Sequence, residues 1–156
     1  MGAFGMEAMS YSLTAATAYL GLACGIIAAY MAREEIRAGA KYFAVLQAAI
    51  TALILFLAMA FFKVNLLLNI AFIALFFGII RQLEFPQSYI MYPAFAAALY
   101  ISRVRAGTFA TIASLIFLYG LPTAALLIDF KRKNYFKILL YHLTFIVIAL
   151  SAMAIS

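Results

Sequence analysis

The sequence predicts an all-α integral membrane protein, a compact bundle of about six transmembrane helices arranged as three hairpins. Of its residues, 69% are hydrophobic and only 10% are charged, with a mean hydropathy of +1.12. The charged residues leave six uncharged stretches of 17 to 25 residues. A helix that crosses about 30 Å of hydrocarbon needs about 20 apolar residues, whereas barrel strands need only about 10. We therefore expect helices that are surrounded mostly by lipid.

The six spans follow one another without a linker and form one domain, residues 1–156. They cover residues 9–32, 42–62, 64–80, 87–102, 107–128 and 136–155. The first is too long for the apolar core of a signal peptide and no basic residue precedes it, so we interpret it as a retained helix. The third and fourth are short, and Pro86 and Pro93 interrupt the fourth. These two form either two full spans or a re-entrant hairpin.

The loop charges predict the orientation. The basic residues of loops 1–2, 3–4 and 5–6 are Arg33, Arg37, Lys41, Arg81, Lys131, Arg132, Lys133 and Lys137, and those of the other two loops are Lys63, Arg103 and Arg105. Basic residues favour the cytoplasmic side. We therefore expect a protein of the prokaryotic plasma membrane, with both termini outside and three hairpins that turn on the cytoplasmic side.

The first span carries a face of small residues at a spacing of four: Thr17, Gly21, Gly25 and Ala29. Small residues allow helix backbones to approach closely in lipid. The simpler interpretation, which we favour, is helix packing inside the bundle. The alternative is self-association of two copies through this face.

Polar residues within apolar spans are the best indication of function, because lipid makes them costly. Those residues, which we treat as a candidate ligand or ion pathway, are Gln47, Thr51, Asn65, Asn69, Asp129 and His142. Gln47, Thr51, Asp129 and His142 fall near the inner ends of their segments, while the asparagines share a face nearer the outside. The simpler interpretation is that these groups hydrogen-bond between helices, or, for Asp129, face solvent at the interface.

The residue inventory excludes several classes of site. The chain has one histidine and one cysteine, too few for a thiolate cluster or a two-histidine zinc site. We expect no catalytic residue, no metal and no cofactor. The net charge of +6 arises at span ends, where basic residues meet lipid headgroups, so we expect no nucleic-acid partner.

The predicted function is a channel or transporter, or a membrane subunit of a larger complex. The predicted partners are membrane lipids and either further copies of the chain or other membrane subunits. One alternative is an integral-membrane enzyme that acts on a lipid through His142 and an acidic residue, although acid–base residues are scarce. The other alternative is a non-catalytic membrane scaffold or assembly factor.

Overall fold

The computed structural model describes residues 2–82, 87–130 and 134–155, and every regular element in these ranges is an α-helix. The elements are α1 (Gly2–Met31), α2 (Ile36–Phe61), α3 (Leu66–Gln82), α4 (Gln87–Ser102), α5 (Ala106–Leu127), α6 (Tyr135–His142) and α7 (Thr144–Ile155). This confirms the predicted all-α class. Pro86, three basic residues of loop 5–6 and Glu84 lie outside the described residues.

Four stretches are long and apolar enough to cross a membrane. They are Met9–Met31, Ala38–Phe61, Ala106–Leu127 and Tyr135–Ala154. The α3 helix is apolar but has 17 residues, and α4 has 16 residues with Pro93 inside it. Four candidate spans are therefore present among the described residues, and six full spans remain a prediction.

Two helix boundaries differ from the predicted spans. The second helix begins at Ile36, six residues before the span predicted from residue 42, because Arg37 and Lys41 end the apolar run but are good helix formers. The last segment is broken at Leu143, whose N–H bonds to Leu140 O at 3.2 Å. In a continuous α-helix this N–H would donate to Leu139 O, but Leu139 O instead accepts a hydrogen bond from the hydroxyl of Tyr19 on α1.

The helices pack in a grouping other than that of the three predicted hairpins. Both α1 and α2 have their largest contact with α5 rather than with each other, and α4 packs mainly on α7. The α3 helix packs chiefly on α2. The largest contacts thus join helices that are not neighbours in the chain.

The contact between α1 and α5 is the closest in the bundle. A Cβ on Gly21 would overlap the backbone of Phe117, and a Cβ on Gly25 would lie 2.7 Å from Gly120 O. A Cβ on Gly120 would overlap the α1 backbone in turn. Gly21 and Gly25 of the small-residue face therefore pack against α5 of the same chain, whereas Thr17 of that face is exposed.

Contacts between loops and helix ends define two ends of the bundle. At one, which we call the Arg33 end, the Arg33 guanidinium lies 5.0 Å from the ring centre of Phe130. At the other, the Arg103 end, Arg103 Nη1 donates to Met153 Sδ at 3.2 Å. Loops 1–2 and 5–6 thus lie together, away from the C-terminal helix end.

Candidate functional site

A buried hydrogen-bond network joins α2 to α5. Gln47 Nε2 donates to the Tyr119 hydroxyl at 3.1 Å and to Thr123 Oγ1 at 2.9 Å. Thr51 Oγ1 donates to the Gln47 carbonyl at 2.9 Å, and Thr123 Oγ1 donates to the Tyr119 carbonyl at 2.8 Å. All four side chains are buried, so the amide of Gln47 is held between two helices in an apolar surrounding.

Helical periodicity explains how the sequence assembles this network. Gln47 and Thr51 are four apart on α2, and Tyr119 and Thr123 are four apart on α5, so each pair occupies one face of its helix. Each threonine returns its hydroxyl hydrogen to the carbonyl one turn back, which satisfies the donor in the absence of water.

His142 lies at the end of α6 with no exposed surface. Its Nδ1 is 2.7 Å from the Ile138 carbonyl, an atom that can only accept a hydrogen bond. We therefore assign the hydrogen of the neutral ring to Nδ1, which leaves a lone pair on Nε2. That Nε2 is buried and has no hydrogen-bond partner.

Tyr92 on α4 connects His142 to the network. Its ring centre is 4.7 Å from that of His142 and 5.6 Å from that of Tyr119, edge-on in both cases. Tyr89 covers another side of the imidazole at 5.1 Å. The hydroxyls of Tyr92 and Ser88 are buried and lack partners, as Nε2 does. We call these residues together with the Gln47 network the polar half; its members are Gln47, Thr51, Ser88, Tyr92, Tyr119, Thr123 and His142.

A layer of hydrocarbon side chains lies between the polar half and the Arg103 end. It is formed by fully buried side chains from α1, α2, α4 and α5, which we call the apolar half: Leu22, Ile54, Leu99, Ile112 and Ile116. A second buried tyrosine, Tyr11, stacks on Phe109 at 5.8 Å beyond this layer. In this structure the apolar half separates the polar half from the Arg103 end.

The structure places the predicted pathway residues in three separate locations. Gln47, Thr51 and His142 belong to the polar half, although Gln47 meets Tyr119 and Thr123 rather than the histidine. Asn65 is exposed and its Oδ1 accepts from Leu67 N–H at 3.0 Å, which begins α3. Their role as a pathway stays a prediction.

The other two pathway residues also lie apart from the polar half. Asn69 is buried against α2, where its Nδ2 donates to Phe56 O at 3.2 Å. Asp129 is half-buried in the loop after α5, where its N–H donates to Asn134 Oδ1 at 2.7 Å. Asn134 Nδ2 also donates to Leu127 O at 2.9 Å, which holds this loop to the end of α5. The role of Asn69 and Asp129 in a pathway stays a prediction.

Sequence reasoning missed Ser88, Tyr92, Tyr119 and Thr123. The tyrosines were grouped with apolar residues, and the two hydroxyl residues lie close to helix ends. One signal was available: Tyr119 and Thr123 share a helical face within an apolar span, as Gln47 and Thr51 do.

The site has hydroxyl, amide and imidazole groups but no assembled acid–base pair. Among the described residues, no carboxylate bonds Nε2 of His142, and no group of three His, Cys, Asp or Glu side chains is placed to hold a metal ion. Such neutral groups can bind and orient a small hydrogen-bonding species. The lipid-enzyme alternative gains no support from this geometry.

Neither a protein-family model, nor a curated protein, nor a solved structure matches the chain. Its class therefore follows from its own helices. The described residues form helices throughout their regular elements, and their four long apolar stretches are consistent with a small membrane protein.

Proposed function

We propose that the protein is a small integral membrane protein of the transport class, a channel or transporter, whose polar half accepts a polar solute or ion from the Arg33 end. One observation carries the proposal: Nε2 of His142 and the hydroxyl of Tyr92 are fully buried without partners beside the Gln47 network. Structural polar groups in a membrane interior satisfy one another, so unsatisfied ones are typical of a binding site.

The outer surface supports a membrane location. Large apolar side chains are exposed on several helices, including Met31 at 83%, Leu67 at 76% and Phe136 at 69%. Water would penalise such a surface, whereas lipid would not. We infer six spans, with the Arg33 end in the cytoplasm of a prokaryote and both termini outside, because eight of the eleven basic residues lie in loops assigned to that end.

A membrane subunit of a larger assembly is the second candidate, and α3 favours it. This helix packs chiefly on α2 and exposes Leu66, Leu68, Leu75 and Ile79. An apolar helix with one packing partner has surface available for another copy or another subunit. Lipid is the remaining partner that this surface fits.

Accessibility to a water-soluble thiol reagent tests the location and the pathway together. Replacement of Cys24, the single cysteine, by alanine provides a background for single cysteines at Thr123 in the polar half and Ile116 in the apolar half. In vesicles, we expect modification of T123C from the Arg33 side and none of I116C from either side. Equal protection of both positions from both sides would contradict a solute-accessible polar half.

Flux into vesicles tests transport itself. Purified protein is reconstituted and assayed separately for potassium, ammonium, chloride, protons and glycerol. We expect Thr51→Val to lower the flux of whichever probe crosses, because Thr51 supports the Gln47 carbonyl. Thr111→Val is the matched control, since Thr111 makes the same back-bond at 2.9 Å on an exposed face. Wild-type flux equal to that of empty vesicles for every probe would count against the transport class.

A further inference from the structure

Three buried polar atoms without partners belong to two helices that contact each other, Ser88 Oγ and Tyr92 Oη to α4 and His142 Nε2 to α6. Ser88 is 2% exposed, and the other two residues are not exposed at all. Ser88 and Tyr92 are four apart and share a face of α4, and that face carries the ring that packs edge-on to His142. An unpaired buried polar group is costly, so three together indicate that this contact holds a ligand.

The hydrogen-bonding capacity of the three atoms restricts the ligand. Because the Ile138 carbonyl fixes the hydrogen on Nδ1, Nε2 presents a lone pair and requires a donor. The hydroxyls of Ser88 and Tyr92 can both donate and accept. A carboxylate or chloride ligand has no hydrogen to donate and would be repelled by the lone pair of Nε2. Among the described residues, no cluster of acidic or thiol groups would hold a metal ion. Water and its protonated form meet all three requirements.

We propose that Ser88, Tyr92 and His142 form a hydrated proton-binding site. Water donates a hydrogen bond to Nε2, with its oxygen on the hydroxyls of Ser88 and Tyr92. In the loading step, Nε2 forms an N–H bond with a proton of hydronium while the O–H bond breaks, which leaves neutral water and an imidazolium ring. Throughout, Nδ1 keeps its hydrogen and donates it to the Ile138 carbonyl. The reverse step returns the proton to water.

The neighbours of His142 suit reversible protonation. The titratable groups that face it are the tyrosines of the packed helices, Tyr89 and Tyr92 from α4, with Tyr19 from α1 bonded to the carbonyl of Leu139 one helical turn away. From α7, Phe145 packs on Tyr92 and does not titrate. No carboxylate among the described residues bonds the ring. The charge of the imidazolium is therefore balanced only by dipoles, which favours release of the proton once it has been taken up.

The position of the site determines the end from which it is loaded. Ser88 is the second residue of α4, at the Arg33 end, where Tyr89 also meets Tyr141 of α6. Beyond Tyr92 the interior becomes apolar. The site thus accepts protons from the Arg33 end. Its role as the site of a transported or coupling ion rests on the proposed transport function, whereas proton binding itself does not.

Nuclear magnetic resonance can observe this site directly, because the chain has one histidine. Full-length protein with ¹⁵N-labelled histidine in lipid should show Nε2 in exchange with water and a single protonation step as the pH is lowered. Tyr92→Phe and Ser88→Ala should shift its midpoint. Tyr11→Phe is the matched control, since this buried tyrosine also has an unpartnered hydroxyl but lies at the other end. An Nε2 that neither exchanges with water nor takes up a proton would overturn the proposal.

Proton flux in vesicles completes the test. We expect His142→Gln, which keeps a polar side chain but does not titrate, to lower proton flux about a hundredfold. If ammonium or glycerol crosses at the wild-type rate in that variant, and Nε2 of His142 in the wild-type protein does not protonate, the proton site is wrong while transport stands. If Nε2 titrates as expected but no probe crosses in wild type, the proton site stands while the transport function fails.

Discussion

The polar half and the apolar half of the bundle are held by different forces. In the polar half, Gln47 bridges α2 and α5 with two hydrogen bonds, and Tyr92 and His142 retain unpaired atoms. In the apolar half, fully buried side chains such as Ile54 and Ile116 fill the same helices with hydrocarbon. The difference teaches that packing alone can hold these helices together, so the polar groups are available for another purpose.

The close approach of α1 and α5 supports both halves at once, and its loss is the largest effect that we predict. Gly21→Leu would drive a side chain into the Phe117 backbone and should cost at least about 4 kcal/mol, enough to prevent folding. The measurement is the yield and thermal midpoint of monodisperse protein in detergent. Gly78→Leu is the control, because a Cβ there meets nothing within 4 Å. If both variants lose yield and thermal stability equally, the close contact between α1 and α5 is not the reason for the effect at Gly21.

A cavity in the apolar half should have the next largest effect. Ile54→Ala removes buried methyl groups among rigid neighbours and should lower the free energy of unfolding by about 2–4 kcal/mol. Chemical denaturation in mixed micelles measures this change. Leu53→Ala, on the exposed side of the same helix, should cost much less. The accessibility of the polar half to solutes should be unchanged in Ile54→Ala. A change in that accessibility would show that the two halves do not behave independently.

In the polar half, Gln47→Leu should have a smaller effect on the free energy of unfolding than on solute flux. The variant loses two hydrogen bonds, which in membrane helices amounts to about 1–2 kcal/mol, and it retains most of the side-chain volume. The same denaturation experiment measures the loss. If Gln47→Leu destabilises more than Ile54→Ala, the network is primarily structural.

Asn69 provides a comparison with a buried polar residue outside the polar half. Its Nδ2 makes one hydrogen bond of 3.2 Å to Phe56 O, while its buried Oδ1 has no partner. Asn69→Leu should change stability by less than about 1 kcal/mol, because a weak bond and an unpaired atom disappear together. Solute flux should be that of the wild type. A flux defect would instead bring the Arg103 end into the pathway.

The smallest effect is expected at the turn between α2 and α3. Lys63 has a φ of +55°, in the left-handed region that glycine adopts without steric cost. Lys63→Gly should raise the thermal midpoint slightly, by the equivalent of about 0.5–1 kcal/mol. Lys137→Gly, inside α6, should lower it by a similar amount because glycine is a poor helix former.

The candidate site could be predicted only in part. Gln47, Thr51 and His142 are identifiable because a polar side chain in an apolar span is costly wherever it lies. Tyr92 and Ser88 are not, since an aromatic ring or a hydroxyl gives no such signal unless its neighbours are known. The position of Asp129 depends on Asn134, which fixes the loop locally.

The sequence by itself determined the helical class and the approximate positions of the apolar segments, because hydropathy and charge act residue by residue. It also determined the small-residue face of α1. Only the tertiary structure decided that α5 packs on the glycines of this face, that Tyr19 bonds the last segment near its break at Leu143, and that Gln47 meets Tyr119 and Thr123. The physical reason is that helix pairing depends on the match between two surfaces, and one segment's composition does not specify its partner.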